Sequence, residues 1–328
     1  MSLVLGTMNI DYKYSSNKNN TIEYYEKIIN EYINTISDPI LDTAYYYGNT
    51  KTEQILGNII FNKKTKIATK ANPWFNNDFT SGILGQLSAE NLERQLNISL
   101  NNLKLNNVDI FFLHCPDHET PINETLNKCD ELWRKEKFNI LGISNYSKKQ
   151  IKEILDYCDN VNIKPTIYQG MYNLISRNVE EIFPLLDDYD IDFWAYNPLA
   201  GGLLTGKYNI DKLDNIDNLD NINKLDNINK LDNRFKNNDI YKKIFLKKEI
   251  LENLKEYNKL ENKIEYSYLW LKNYSKLRNN DKIILGVSTI EQIKYNLNIF
   301  NTNKEIDNNT LSILNNIYNP ITSPIYYY

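Results

Sequence analysis

Eight short apolar runs, separated by stretches with helical spacing, constrain the fold of this chain most. The runs are LVLGT, PILDTA, TKIATK, VDIFFLH, FNILGIS, PTIYQ, IDFWAY and KIILGVS. Runs with so little polar alternation are typical of parallel strands that are covered on their outer face. Between the third and fourth runs, the apolar residues are spaced as in an amphipathic helix, at Leu92, Leu96, Leu100 and Leu103. The pattern therefore predicts an α/β protein.

Eight strand and helix units predict a closed (β/α)8 TIM barrel, which we expect to form a single domain over residues 1–328. A doubly wound open sheet is the competing architecture. That fold would carry a glycine-rich fingerprint after an early strand. The turn after LVLGT reads MNIDYKYSS and contains no glycine. We therefore favour the barrel.

One low-complexity segment, at about residues 209–235, interrupts this alternation after the seventh strand run. It reads NIDKLDNIDNLDNINKLDNINKLDNRF. Its Leu and Ile residues recur at nearly helical intervals, but its many asparagines compete for backbone hydrogen bonds and weaken a helix. A solenoid would need longer repeats with a continuous core. We expect a solvated loop insertion.

Composition narrows the class of partner. A formal net charge of -4 lacks the basic excess that binding to nucleic acid or an anionic membrane requires. No apolar run approaches the roughly 20 residues that span a bilayer, and the N-terminal segment lacks the pattern of a signal peptide. The three cysteines are odd in number and widely spaced, which is typical of reduced thiols. We expect a cytoplasmic protein with a small-molecule partner.

Four polar groups stand at the ends of neighbouring strand runs. Asp42 closes the second run, Lys70 the third and His114 the fourth, and the tyrosines at 45–47 follow Asp42. Each alone has an ordinary structural explanation, such as a turn cap or a solvated side chain. In a barrel, however, all of them would point into one mouth. Burying a Lys–Asp pair beside a phenol costs free energy of folding, so such a pair indicates a functional site.

This set suits proton donation to a carbonyl oxygen while another group supplies a hydride. A phenol with a pKa near 10 is a poor acid at neutral pH. An ammonium about 4 Å away contributes about 4 kcal/mol at an effective permittivity of about 20, which lowers the pKa of the phenol. Lys70 would be this ammonium and Asp42 would hold it in place. A neutral His114 would orient the carbonyl.

Two other motifs suggest different chemistry. The stretch from Gly201 to Lys207 fits the spacing G-x-x-x-x-G-K, but Tyr208 stands where a P-loop needs Ser or Thr. His114 and His118 are four residues apart, yet the intervening proline argues against one helical face and no third ligand is evident. We predict neither a triphosphate-binding loop nor a metal site.

A set of longer motifs extends from residue 6 to 297: GTM, LDTAYYYGNTKTEQILG, KIATKANPW, VDIFFLHCPDHETPINETL, KFNILGISNYS, PTIYQGMYN, YNPLAGGLLTGKY and ILGVSTIEQIKYNL. Together they resemble the aldo-keto reductase superfamily, most closely its aflatoxin-aldehyde (succinic semialdehyde) reductase branch. In that family's DTAxxY pattern the catalytic tyrosine lies five residues after the aspartate, which selects Tyr47. The family's lysine and histidine positions fall on Lys70 and His114, and its catalytic aspartate on Asp42.

The resemblance implies NADPH as cofactor, held extended across the barrel mouth. Asp42 is implied to contact it, and the nicotinamide amide is assigned to Ser144, Asn145 and Gln169. A pyrophosphate loop is implied at Asn197, Pro198, Leu199, Gly201, Gly202, Leu203, Leu204 and Lys207. The end of the cofactor that carries the 2′-phosphate is assigned to Ser288, Thr289, Gln292 and Asn296, although STIEQ reads equally well as an N-capped helix. Arg234 resembles a basic residue that closes over the cofactor.

The function implied by the resemblance is NADPH-dependent reduction of aldehydes, including dicarbonyls or semialdehydes. Tyr47 would donate the proton, His114 would contact the substrate, and Trp74 is predicted to form a wall of the substrate pocket. An alternative function is an NADP(H)-binding subunit that senses redox state with little turnover. The resemblance also implies a homodimer.

Overall fold

Eight parallel strands alternate with helices in the computed structural model, which describes residues 2–10, 21–61, 63–78, 82–208, 235 and 238–324. Each strand pairs with its sequence neighbours, and β1 pairs with β8, so the sheet closes into a barrel. The strands are β1 Ser2–Gly6, β2 Ile40–Asp42, β3 Lys66–Ala71, β4 Val108–Leu113, β5 Phe138–Ser144, β6 Pro165–Met171, β7 Asp192–Tyr196 and β8 Lys282–Gly286.

Helices cover the outside of the barrel. The α-helices are α1 Ile22–Thr35, α2 Lys51–Leu56, α3 Ala89–Leu103, α4 Ile122–Arg134, α5 Lys148–Cys158, α6 Phe183–Asp188, α7 Asp239–Phe245, α8 Lys248–Asn258, α9 Lys263–Asn273, α10 Ile290–Asn301 and α11 Asn308–Asn316. Short 3-10 helices span Phe75–Asn77, Asn178–Ile182 and Ala200–Thr205. The leucine stripe of α3 is buried against β3 and the adjoining helices, which explains its helical spacing.

Side chains fill the interior of the barrel. A compact inner cluster comprises Val4, Ile40, Ala68, Ile110, Phe112, Ile167, Trp194 and Ile284. On β5, Gly142 makes room for this cluster, since a Cβ at that position would lie 2.3 Å from the Phe112 ring. The barrel is therefore a packed core, as expected for this architecture, and its polar groups lie at the carboxyl ends of the strands.

The predicted TIM barrel is confirmed, and all eight predicted strand runs form strands. The low-complexity segment, apart from Phe235, lies outside the described residues, and the single-domain assignment stays a prediction. No helix among the described residues is both long and apolar enough to cross a membrane.

Candidate active site

A cleft of about 370 Å³ opens at the carboxyl ends of the strands. Its lining includes Asp42, Tyr47 and His114 at one part and the beginning of α10 at another. Parallel register brings the strand ends together: Asp42 pairs with Ala68 on β3, and Lys70 pairs with Phe112 on β4. Catalytic sites of TIM barrels lie at this end of the barrel.

Lys70 and Asp42 form a buried ion pair beneath the cleft. The Lys70 Nζ donates hydrogen bonds to Asp42 Oδ1 at 2.7 Å and to the Thr43 carbonyl oxygen at 2.7 Å. The side chains of Lys70 and Asp42 are 0% and 3% exposed. Burial lowers the pKa of Lys70, and the negative charge of Asp42 opposes this shift. The carboxylate therefore stabilises the charged form of an amine that has lost its water.

Tyr47 and His114 lie beside this pair. The Lys70 Nζ is 5.0 Å from the centroid of the Tyr47 ring, and the rings of Tyr47 and His114 meet edge to face at 5.9 Å. Burial, followed by the positive charge of Lys70, lowers the pKa of His114 well below its ordinary value. His114 is therefore neutral at neutral pH and carries one ring N–H that can donate to a ligand.

We expect the neutral state of His114 to make the fold sensitive to acid. Below about pH 6.5, the unfolded chain binds a proton at this histidine that the folded chain does not bind. Stability should therefore fall on acidification, by about 1 kcal/mol between pH 7 and pH 5.5. Urea unfolding at the two pH values measures this loss of stability. The His114→Asn variant should lack the part of the loss that comes from protonation of the histidine. An equal loss in the variant would contradict the prediction.

Amide and hydroxyl groups on β5, β6 and β7 surround the same pocket. Gln169 Nε2 donates to Asp42 Oδ1 at 2.9 Å, which links β6 to the ion pair. Asn145, with a left-handed φ of 65°, donates from Nδ2 to the His114 carbonyl oxygen at 3.0 Å. Its Oδ1 accepts from the Tyr196 hydroxyl at 2.8 Å. This network fixes two amide side chains next to the predicted catalytic groups.

The loop after β7 forms the middle of the cleft. Asn197 begins it, with its carbonyl oxygen held by Asn173 Nδ2 at 3.0 Å and its Oδ1 accepting from the Gly201 N–H at 2.6 Å. Gly201 and Gly202 have φ values of 66° and 97°, which favour glycine. A Cβ at Gly202 would lie 2.9 Å from the Lys207 Nζ, so the lysine folds closely over a bare backbone. Pro198 and Leu199 also line the cleft.

The N-terminal end of α10 forms another part of the lining. Ser288 donates its backbone N–H to Gln292 Oε1 at 2.8 Å, and the Gln292 N–H donates to Thr289 Oγ1 at 3.2 Å. Asn296, one turn further along, donates from Nδ2 to the Tyr268 hydroxyl at 3.2 Å. The segment STIEQ therefore caps a helix, and Ser288 and Gln292 from it, with Asn296 one turn further on, line the cleft. Its predicted contact with the end of the cofactor that carries the 2′-phosphate stays a prediction.

Four predicted cofactor residues are not placed in the cleft lining. Leu203 and Leu204 are 1% and 0% exposed and pack in the outer hydrophobic core, because the short 3-10 turn directs them inward. Their side chains therefore pack in the core, and a contact between either residue and the cofactor stays a prediction. Thr289 caps α10. Arg234 lies outside the described residues.

Aromatic side chains form the wall next to His114. Trp74, which is 6% exposed, meets the His114 ring at 5.2 Å and the Tyr46 ring at 5.3 Å, both edge to face. Both Trp74 and Tyr46 line the cleft. The structure therefore places the predicted substrate residue beside the predicted catalytic group. It also brings in Tyr46, which the family pattern did not select.

Tyr196 is a cleft residue that sequence reasoning missed. It ends β7, lines the cleft and donates its hydroxyl hydrogen to Asn145. A signal was available in the alternation of the strand, since Trp194, two residues earlier, faces the barrel interior. Met8 and Asn9, in the turn after β1, also line the cleft. Met8 belongs to the GTM motif of the resemblance, whereas Asn9 carries no sequence signal that separates it from an ordinary loop.

The described residues contain no cluster of three or more His, Cys, Asp or Glu side chains that could hold a metal ion. The candidate site therefore consists of a buried ion pair, a phenol, a neutral imidazole, two amides and a glycine-bearing loop. This donor set suits an organic ligand with amide and anionic groups.

Comparison with known proteins agrees with this geometry. Residues 2–319 match the family described as "Aldo/keto reductase family". The chain is similar to human aflatoxin B1 aldehyde reductase member 4, with 37% identity over 78% of each chain. It is 38% identical to human aflatoxin B1 aldehyde reductase member 2, over 78% of this chain and 72% of the relative. Human aldo-keto reductase family 7 member A3 is 37% identical over 78% of each chain. The chain belongs to the aldo/keto reductase family and is an oxidoreductase.

Proposed function

We propose that this oxidoreductase catalyses the NADPH-dependent reduction of aldehydes to alcohols, with Tyr47 as the proton donor. Membership of the family supports aldehyde reduction with a nicotinamide cofactor in general. The observation that carries the finer proposal is the Lys70 Nζ, which contacts Asp42 at 2.7 Å and lies 5.0 Å from the Tyr47 ring. An ammonium near a phenol favours the phenolate and so makes the phenol a stronger acid towards a carbonyl oxygen.

Each of these side chains has a separate role in the proposed reaction. When bound, the reduced nicotinamide supplies the hydride that reaches the carbonyl carbon. Tyr47 transfers its hydroxyl proton to the carbonyl oxygen, and Lys70 stabilises the phenolate that remains. Asp42 holds Lys70 charged and in place. Neutral His114 donates its ring N–H to the carbonyl oxygen and so orients the aldehyde towards Tyr47.

The residues that line the cleft support a dinucleotide as the cofactor. Asn145 and Gln169 offer amide groups that could pair with the carboxamide of nicotinamide. Asn145 lies next to His114, and Gln169 lies next to the ion pair. Gly202 offers a backbone surface with no side chain of its own, and the Lys207 ammonium folds over it, where it could pair with a pyrophosphate. Ser288 and Gln292, where α10 begins, would hold the phosphate on the adenosine ribose.

We expect Gly202→Val to weaken NADPH binding at least about tenfold, because its side chain would meet the Lys207 ammonium and fill the surface offered to phosphate. Protein fluorescence on titration with NADPH measures the dissociation constant. Gly85→Val is a matched control: Gly85 has a φ of 98° but lies away from the cleft, and a Cβ there would meet Glu119 at an ordinary contact distance of 3.9 Å. Both variants should lose stability through backbone strain. Equal affinity for NADPH in the Gly202→Val and Gly85→Val variants would contradict the assignment of Gly202 to a pyrophosphate-binding loop.

The wall of Tyr46 and Trp74 supports aldehydes that carry a flat or apolar substituent. The names of the similar human proteins, aflatoxin B1 aldehyde reductases, agree with a bulky aldehyde. NADPH consumption with a panel of aldehydes, dicarbonyls and semialdehydes tests this substrate class. Turnover of 4-nitrobenzaldehyde separates the enzyme from the alternative of a redox-sensing subunit, which would bind NADPH and reduce almost nothing.

A further inference from the structure

Glu53 is a buried carboxyl group that the proposed reaction does not use. It lies on α2 and is 0% exposed. Its Oε1 accepts a hydrogen bond of 2.5 Å from the hydroxyl of Thr69, which is also 0% exposed. Its Oε2 has no hydrogen-bond partner within the part of the chain that the structure describes. A fully buried carboxyl group is rare in proteins unless it is paired or hydrogen-bonded.

The hydrogen bond joins the two segments that carry the proposed proton donor and its ammonium. Thr69 immediately precedes Lys70 on β3, so Thr69 faces the helices while Lys70 faces the barrel interior. Tyr47 lies on the turn that leads into α2, and its carbonyl oxygen accepts the Thr52 N–H at 3.4 Å. Through Glu53, the turn that carries Tyr47 is therefore fastened to the strand that carries Lys70.

The surroundings of Glu53 favour this hydrogen bond over a role as a free charge. Burial raises the pKa of the carboxyl group, and the side chains of Thr69, Ser99 and Asn102 and the positive charge of Lys70 oppose the increase. Thr69 and Lys70 lie on β3, and Ser99 and Asn102 lie on α3, which packs along α2. The link can hold in either protonation state, since an unprotonated oxygen remains to accept from Thr69.

We propose that Glu53 is a positioning residue, whose hydrogen bond with Thr69 sets the distance between Tyr47 and Lys70. This inference rests on the proposed roles of Tyr47 and Lys70. The beginning of the turn is also held to β3, because the Tyr45 N–H donates to the Lys70 carbonyl oxygen at 3.1 Å. Loss of the Glu53 hydrogen bond would therefore let α2 and the later part of the turn, which includes Tyr47, shift relative to β3. A longer distance between the ammonium and the phenol raises the pKa of the phenol and weakens it as an acid.

The test removes the hydrogen-bond donor while keeping the shape of the side chain. Thr69→Val should lower kcat about tenfold or more, because small misplacements at a reacting centre are costly. It should raise the alkaline-side pKa in the pH profile of kcat and leave the dissociation constant for NADPH unchanged. Thr69→Ser, which restores a hydroxyl group, and Glu53→Gln, whose amide oxygen can still accept, should both retain kcat near the wild-type value.

A matched control separates positioning from general destabilisation. The Thr125 hydroxyl is also buried and donates at 2.9 Å to the Leu87 carbonyl oxygen, on the side of the barrel formed by α4. Thr125→Val should lower the melting temperature but leave kcat and its pH profile unchanged. Wild-type kcat and pH profile in Thr69→Val would overturn the proposal. So would a loss of kcat in Glu53→Gln as large as in Thr69→Val, which would assign the effect to charge.

A variant of Tyr47 distinguishes failure of this inference from failure of the proposed function. If Tyr47→Phe keeps wild-type turnover, the proton donor is wrong and the inference falls with it. If Tyr47→Phe is inactive while Thr69→Val behaves as wild type, only the positioning role of Glu53 is overturned.

Discussion

Replacing Tyr47 with phenylalanine is expected to lower kcat by about a thousandfold while NADPH binds as in the wild type. The variant loses only the hydroxyl group, and general acid catalysis of this kind contributes about a hundredfold to ten-thousandfold. The Tyr47 ring packs 5.9 Å from the His114 ring and 5.0 Å from the Lys70 Nζ, and phenylalanine preserves both contacts. Single-turnover measurements with bound NADPH and an aldehyde isolate the chemical step from release of product.

Tyr45→Phe is the matched control for this prediction. Tyr45 lies two residues earlier in the same turn and is 8% exposed, but it is absent from the cleft lining. The Tyr45→Phe variant should retain wild-type kcat, so a lower kcat in both variants would indicate disruption of the turn. A Tyr47→Phe enzyme with normal turnover would refute the assignment of the proton donor.

Much of the fold could be predicted because burial on both faces leaves a clear trace in sequence. Strand β4, for example, is a nearly continuous apolar run, since it packs against the barrel interior on one side and helices on the other. Closure of the sheet then aligns the strand ends. For that reason Asp42, Lys70 and His114 could be brought together from the sequence alone.

The choice of Tyr47 among three adjacent tyrosines could not be made in this way. All three stand in the turn after β2, and only the resemblance to a family selected one. The structure separates them by environment: Tyr45 is buried, Tyr46 packs on Trp74, and Tyr47 lies next to Lys70 and His114. Turn geometry, which decides these environments, is set by backbone angles that residue types alone do not determine.

The environments of residues in glycine-rich loops and of isolated acidic residues could not be predicted from the sequence either. Leu203 and Leu204 follow two glycines with positive φ, and those angles turn the chain so that both leucines enter the core. Glu53, in the first turn of α2, resembles a solvated residue that favours the helix dipole. Its burial depends on the packing of α2 against β3 and α3, which no local pattern reveals.

We expect Lys70→Met to abolish turnover and also to destabilise the fold. Methionine fills a similar volume but leaves Asp42 with an unpaired carboxylate that is 3% exposed. Removing one partner of a buried ion pair costs about 3 to 5 kcal/mol, because the remaining charge has neither water nor a counter-ion. Urea unfolding monitored by circular dichroism gives the loss of stability, and NADPH consumption with 4-nitrobenzaldehyde gives the loss of activity.

The double variant Lys70→Met with Asp42→Asn separates these two effects. Replacing the carboxylate by an amide removes the unpaired charge, and Gln169 still has an oxygen at residue 42 to which it can donate. Stability should therefore recover by about 2 kcal/mol or more, since most of the cost lay in that charge. Activity should stay absent, because no ammonium remains beside Tyr47 to stabilise the phenolate that proton donation would leave. If activity returned together with stability, Lys70 would be a structural residue, and the electrostatic account of proton donation would fail.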